Sequence, residues 1–174
     1  MGNKQKQSLI IVHRYRIIEE LGKGSMGIVY KVQDTFRSNE FKALKTIRKE
    51  MINFDVLSNF KKEFEIMSKL RHPYLVQVYD FGYENSQGFY YLTMEYINGQ
   101  TLKEYLKQRQ KLDEKKILNI IVSLSRTLGF IHSRNILHRD IKLSNILIKG
   151  DKIKVTDFGL SDGCVINLMY LDKF

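Results

Sequence analysis

Four short stretches of this 174-residue chain carry residue types that could handle phosphate. In the first, Gly22, Gly24 and Gly27 make G-x-G-x-x-G, and Val29 extends it to G-x-G-x-x-G-x-V. The segment after it is strand-like, whereas a dinucleotide-binding fingerprint would have to open a helix. The turn therefore reads as a hairpin tip whose backbone N–H groups can approach phosphates, since glycine puts no side chain in the way. A flexible tip with no ligand is the plainer alternative. In the second stretch, "KALK" puts Lys45 on a strand with Ala43 two residues earlier on the same face. The ammonium suits α- and β-phosphates, and alanine leaves room for a flat base. Lys45 needs a carboxylate to hold it, and the following helix offers Glu63 and Glu65. At about 100° per residue, Glu63 lies beside the face of Phe60, Phe64 and Met67 while Glu65 points away, so Glu63 is the better partner. The third stretch, "HRDIKLSN", gathers His138, Arg139, Asp140, Lys142 and Asn145 in one loop. The fourth, "DFG", places Asp157 at a tight turn after a strand, as an acidic metal ligand.

The elements that must position these residues are read from periodicity. "YRIIEEL", "IVYKV", "EFKALKTI", "YLVQVYDFGY" and "GFYYLTMEYI" are rich in β-branched and aromatic residues and read as strands. Phe60, Phe64, Met67 and Leu70 share one face of a helix that "RHP" ends. After Asn98 and Gly99 the pattern turns helical, first in "TLKEYLKQR" and then in "DEKKILNIIVSLSRTLGFIHS". Asp113 is a fair N-cap for the longer helix, and Ile117, Ile120, Ile121, Leu124, Leu128 and Ile131 read as its buried stripe. Two short strands, "ILIKG" and "KIKVTD", close the pattern through Gly150 and Asp151.

Composition narrows the function classes. At 43% hydrophobic residues the chain can bury a core, and no apolar run is long enough to span a bilayer. The start, "MGNKQKQSLIIVHRYR", has no signal-peptide core, and Lys6 stands where a myristoylation pattern wants Ser or Thr. A single cysteine, Cys164, rules out a disulfide framework, so a reducing, cytoplasmic setting is expected. His13, His72 and His132 lack metal-ligand spacing. The net charge of +10 is spread along the chain, and acids interrupt its densest runs, which reads as a lysine-rich surface without a nucleic-acid partner.

In order and spacing the four motifs resemble those of the eukaryotic-like, Hanks-type protein kinases: G-x-G-x-x-G-x-V, V-A-I-K as "KALK", H-R-D-L-x-x-x-N as "HRDIKLSN", and D-F-G. Lys142 resembles the serine/threonine branch. The likeness runs from about Tyr15 to Leu160 and implies an α+β, protein-kinase-like fold. Its parts would be a five-stranded antiparallel N-lobe with one helix over 15–97 and an incomplete, mainly helical C-lobe over 98–160. An N-terminal extension, 1–14, and an atypical tail, 161–174, would flank them. The resemblance implies ATP and Mg2+ as cofactors and a protein bearing Ser or Thr as substrate. Asp140 would accept or orient the proton of the substrate hydroxyl, Lys142 would neutralise the γ-phosphate, and Asn145 with Asp157 would hold Mg2+. Gly22, Lys23, Gly24, Ser25, Met26 and Gly27 would cover the phosphates. Leu21, Val29, Ala43 and Leu147 would sandwich the adenine, with Met94 at the back of the pocket. Glu95 and Ile97 sit on the segment whose backbone would bond the base. His138 is implied to be a packed core histidine beneath Phe158 and not a base.

The resemblance also implies that the activation segment, its A-P-E motif and the peptide-holding helices are missing from this chain. "CVINLMYLDKF" offers no phosphorylatable Ser or Thr, and a replaced tail from an interrupted reading frame is the expected cause. Two functions are then open: a partial protein serine/threonine kinase domain, or a noncatalytic ATP-binding or interaction fragment. In both, the apolar face of the helix Asp113 to Ser133 would lie bare, for a protein partner to cover.

Overall fold

Alternation of apolar and polar residues builds one antiparallel sheet from the first half of the chain. The computed structural model describes residues 10–11, 14–24, 27–47, 53–108 and 111–157. Its first strands are β1 (Ile10–Ile11), β2 (Tyr15–Lys23), β3 (Ile28–Asp34), β4 (Glu40–Ile47), β5 (Val78–Glu84) and β6 (Phe89–Glu95), ordered β1-β2-β3-β4-β6-β5. The five expected strands are β2 to β6. The addition is β1, whose Ile11 pairs with Tyr15 although its segment reads as an extension from sequence.

One face of this sheet packs Tyr15, Val32, Leu44 and Tyr91 into a core, with Ile17, Tyr30 and Phe89 at its margin. A polar network closes the same face. The Asp34 carboxylate, wholly buried, accepts both arms of Arg14, from Nε at 3.0 Å and from Nη2 at 2.9 Å. Arg14 also reaches Asp80 at 3.2 Å, and the Tyr15 hydroxyl donates to Asp80 at 2.7 Å. Burial, and then the Asp80 carboxylate, push the Tyr15 phenol well above its ordinary range. Arg14 therefore belongs to the sheet's own structure.

By its contacts the chain divides into two compact units, 1–53 with 78–96 and 54–77 with 97–174. The second holds α1 (Phe54–Lys69), β7 (Gln100–Thr101), α2 (Leu102–Lys107), α3 (Glu114–His132), β8 (Ile146–Lys149) and β9 (Lys152–Val155). Helix α1 buries Phe60 and Met67, as its periodicity requires, and begins earlier than that stripe. It groups with the second unit, whereas from sequence it falls in the segment 15–97. The reason lies in the turn after it: the Val76 amide donates to the Val155 carbonyl at 2.9 Å and the Val155 amide to the Tyr74 carbonyl at 2.7 Å. These bonds tie residues 74–76 to β9.

Capping sets the helix starts. The Thr101 hydroxyl accepts from the Glu104 amide while the Glu104 carboxylate accepts from the Thr101 amide, a reciprocal box, and the Asp113 side chain accepts from the Lys116 amide at 2.7 Å. Helix α3 corrects the expected stripe. Its buried line is Ile120, Ser123, Thr127 and Ile131, while Ile117 and Ile121 are 42% and 54% exposed. The core beneath it joins Leu102, Ile120, Ile146, Ile148 and Ile153, with Leu112 and Leu124 against them. Thr127 can be buried because its hydroxyl donates to the Ser123 carbonyl at 2.8 Å, so no polar group is stranded. No helix among the described residues is long and apolar enough to cross a membrane.

Candidate active site

In the first unit the glycine turn is the tip of the β2–β3 hairpin, as its flanks predict. The Gly24 amide donates to the Gly27 carbonyl at 2.8 Å and closes the loop; Ser25 and Met26 lie outside the described residues. The three glycines have different physical reasons. A Cβ on Gly27 would stand 1.8 Å from the Thr46 carbonyl oxygen, so that glycine lets two strands approach. Among the described residues, a Cβ on Gly22 would meet nothing within 4 Å, and one on Gly24 only the Gly27 carbonyl at 3.9 Å. A Gly27→Ala change is accordingly expected to cost about 1–3 kcal/mol of folding stability, because backbone must move. Gly24→Ala is expected to stay within about 0.5 kcal/mol. Urea denaturation of both variants checks the contrast, and equal losses would refute it.

Cross-strand register sets the residues around the tip. Gly22 pairs with Val29, Val29 with Lys45, and Ala43 with Met94. Partners across strands and residues two apart share a side, so Val29, Ala43, Lys45 and Met94 lie on one face of the sheet, opposite the Tyr15 core. Ala43 and Met94 are buried, Lys45 is half-buried, and Leu21, at the bulge between paired positions, is exposed, as is Lys23. Glu95 pairs with Lys42 at the strand end. The expected Lys45–Glu63 pairing falls outside the described residues, since only the backbone of Glu63, in α1, is described. One supporting residue escaped the sequence reading. Thr46 accepts the Ile28 amide at 3.2 Å and donates to the Ile28 carbonyl at 3.1 Å, anchoring the base of the hairpin. No local signal marks it, because its partner is 18 residues away.

In the second unit the loop after α3 is held in a strained path. Arg139 and Asp157 have φ of 62° and 54°, in the left-handed region that costs a non-glycine residue of order 1–3 kcal/mol. Neighbouring bonds over-determine it. The Asp140 amide donates to the His138 carbonyl at 2.9 Å, and the Thr156 amide to the Asn145 carbonyl at 3.0 Å. Asn145, buried at the end of the 3-10 turn Leu143–Asn145, sends Nδ2 to the Asp140 carbonyl and to Asp140 Oδ2, both at 2.9 Å, and to the Asp157 carbonyl at 3.4 Å. Lys142 Nζ donates to Asp140 Oδ2 at 2.6 Å. Four residues picked from sequence, Asp140, Lys142, Asn145 and Asp157, thus stand together in this unit. Leu147 follows in β8, opposite Thr101, and Ile97 precedes the turn whose Gly99 amide donates to its carbonyl at 2.8 Å.

The electrostatics suit an ionised carboxylate. Partial burial pushes the Asp140 carboxyl up, but the hydrogen bonds from Lys142 and Asn145 and the Lys142 charge outweigh it and hold it below the usual carboxylate range. His138 is buried, and burial pushes its imidazole down, so it is neutral at pH 7 and packs instead of titrating there. Phe158 and Gly159 lie outside the described residues.

Mg2+ fits the donor set. Asn145 commits its Nδ2 to the loop, so its Oδ1, which accepts a long bond from Ser144 Oγ at 3.4 Å, is the atom that could serve as an oxygen ligand, and Asp157 adds a carboxylate. Among the described residues no three His, Cys, Asp or Glu side chains gather as a metal cluster. An ion held here would complete its shell with water and phosphate oxygens, as Mg2+ does.

The protein kinase domain family matches residues 15–168 of this chain. Over 154 residues, 87% of the chain, it is 38% identical to the "Probable serine/threonine-protein kinase PknB" of Lactococcus lactis. Over 150 residues it is 39% identical to the "Serine/threonine-protein kinase PrkC" of Bacillus subtilis, and over 164 residues 36% identical to the human "NUAK family SNF1-like kinase 2". These matches take in 24%, 23% and 25% of the relatives, so the chain spans about a quarter of their length. Among solved structures, the Mycobacterium tuberculosis PknI kinase domain superposes with a TM-score of 0.75 at 26% identity, covering 93% of this chain and 64% of that one.

Proposed function

This chain belongs to the protein kinase domain family, and on that premise we propose that it carries the nucleotide and catalytic-loop part of a protein serine/threonine kinase. The reaction is transfer of the γ-phosphoryl group of ATP to Ser or Thr hydroxyls of a protein. The observation that carries this reading is the meeting of Lys142 Nζ and Asn145 Nδ2 on Asp140 Oδ2, at 2.6 and 2.9 Å. It keeps a carboxylate ionised and aimed, which suits orienting a hydroxyl better than abstracting a proton outright.

Each residue then takes a role. The backbone of the Gly22–Gly27 turn and Lys45 bind the phosphates. Leu21, Val29, Ala43 and Met94 offer the adenine an apolar wall in the first unit, where the Glu95 backbone bonds its edge; for Leu147 and Ile97, in the second unit, the family resemblance implies the matching adenine roles. Asp140 orients the substrate hydroxyl. As the oxygen bonds to the γ-phosphorus, the bond to the β–γ bridging oxygen breaks and ADP leaves, and the proton passes to Asp140 only late, once bonding to phosphorus has acidified it. Lys142 offsets charge on the transferred group. Asn145 and Asp157 would hold Mg2+, which neutralises phosphate charge when bound. Positioning and charge neutralisation supply the catalysis, with no covalent enzyme intermediate. A single cysteine fits a cytoplasmic setting.

The exposure of Ile117, Leu118 and Ile121 on α3 favours a second reading, an ATP-binding or interaction fragment without transfer. The test is phosphate transfer from labelled ATP to a generic basic protein, run beside thermal melting with Mg-ATP. At a ligand concentration near a hundred times Kd, binding adds about 2.7 kcal/mol to stability. We expect this shift in the unaltered chain and its loss in Lys45→Ala. Transfer above background supports the kinase reading; a Mg-ATP shift with no transfer supports the second.

A further inference from the structure

His72 lies among cations. Its ring stacks on Phe130 of α3, with centroids 4.7 Å apart and 27° between planes, and meets the Tyr74 ring edge-on at 5.6 Å. Arg134 lies over the Phe130 ring at 3.8 Å, and its Nη1 donates to the Phe130 carbonyl at 3.0 Å and to Ser133 Oγ at 3.2 Å. The guanidinium is thereby held in place. Lys154 on β9 donates to the Leu75 carbonyl at 3.1 Å. Burial pushes the His72 imidazole down, and Lys154, Arg126 and Arg134 push it down further. Among the described residues neither Arg126 nor Arg134 has an ion-pair partner, whereas Arg14, Lys31, Lys42 and Lys142 all sit on carboxylates.

The same helix carries an apolar extension of this patch. Val122 precedes Arg126 by one turn and Leu118 by two, so the three form one i, i+4 ridge with Phe130. Both aliphatic side chains are exposed, Leu118 by 60% and Val122 by 36%.

We propose that the Leu118–Arg134 face of α3, with the 71–74 loop and β9 beside it, is a docking surface for an acidic peptide segment of a protein partner. Carboxylates of the segment meet Arg126 and Arg134, and an apolar side chain next to them covers Leu118 and Val122. Charge complementarity selects the acid, and the aliphatic pair selects a peptide over a nucleic acid, whose backbone has nothing to place there. Nor can Phe130 stack a base, because His72 and Arg134 already cover it. The surface is independent of phosphoryl transfer, so it stands or falls apart from the kinase reading.

The test is fluorescence anisotropy on the full chain with a short labelled peptide that carries a leucine pair followed by a run of glutamates, beside its glutamine counterpart. We expect the glutamate peptide to bind at least about tenfold more tightly, to weaken as salt rises, and to lose about tenfold in Arg126→Glu/Arg134→Glu. Leu118→Ser/Val122→Ser is expected to lose several-fold. A bound carboxylate favours protonated His72, so binding should tighten as the pH falls toward roughly 6, and His72→Gln should flatten that trend. Equal binding of the two peptides overturns the proposal without recourse to any variant. So does tighter, Arg126- and Arg134-dependent binding to phosphatidylserine vesicles or to a DNA duplex, which would assign the surface to those partners.

Discussion

Asp140→Asn is expected to lower phosphate transfer by about 10²–10⁴-fold, the usual share of a positioned acid–base group, while Mg-ATP still raises the melting temperature. The two readouts separate because Asp140 touches the hydroxyl side of the reaction. Asparagine keeps the shape and one acceptor oxygen, and the Asn145 bond to the residue 140 carbonyl is untouched. What goes is the charge that holds Lys142 Nζ at 2.6 Å and the acceptor for the hydroxyl proton. Partial burial raises the Asp140 carboxyl, but the stronger pull of Lys142 and Asn145 leaves it below the ordinary range. A depressed carboxylate stabilises the fold above its unfolded value, near 3.9, and that contribution fades as pH falls through the lower folded value. Asp140 therefore stays ionised between about pH 5 and 8, and no loss of transfer in that window should trace to it. Undiminished transfer by the variant would remove Asp140 from its role.

Arg14→Met is expected to cost about 3–5 kcal/mol of stability, because it leaves the Asp34 charge buried without its partner. For a chain of this size each kcal/mol corresponds to roughly 2–4 °C in Tm. Asparagine at position 34 can still accept the Phe36 amide, which lies 3.1 Å from Asp34 Oδ1, so Arg14→Met/Asp34→Asn is expected to recover most of the loss. Acid distinguishes the variants. In the native chain burial raises the Asp34 carboxyl, but Arg14, the Phe36 amide and Lys42 outweigh it and leave it lowered, so the pair weakens only as pH falls through that value. Without Arg14, burial dominates and the folded value rises above the unfolded one, so the penalty grows as pH rises and shrinks on acidification. Chemical denaturation at about pH 7 and about pH 4.5 reads this directly. A deficit that stays constant, or that the double variant does not relieve, would show that Arg14 acts through its contacts with Tyr15 and Phe36 instead.

What could be read from the chain alone is what local chemistry writes into short stretches. Glycine at positions 22, 24 and 27 allows a turn that other residues resist, and "HRDIKLSN" places an acid, a lysine and an amide within one loop's reach. The alternation around Lys45 and the cap at Asp113 are equally local, since each concerns residues a few positions apart. Strand and helix order was legible for the same reason.

Tertiary structure decided whatever depended on partners far along the chain. Nothing near Gly27 reveals that the Thr46 carbonyl fills its Cβ position, and nothing near Arg14 reveals Asp34 and Asp80. Helix α3 is the clearest case. Periodicity groups Ile117, Ile120, Ile121 and Leu124 on a broad apolar arc, but it cannot say which edge of that arc a neighbour covers. Packing chose the edge through Ser123 and Thr127, whose hydroxyls bond within the helix, and left Ile117 and Ile121 in solvent. Sequence determines which residues share a face. Which face is buried is settled by the elements that arrive against it, because burial is a property of the whole surface removed from water.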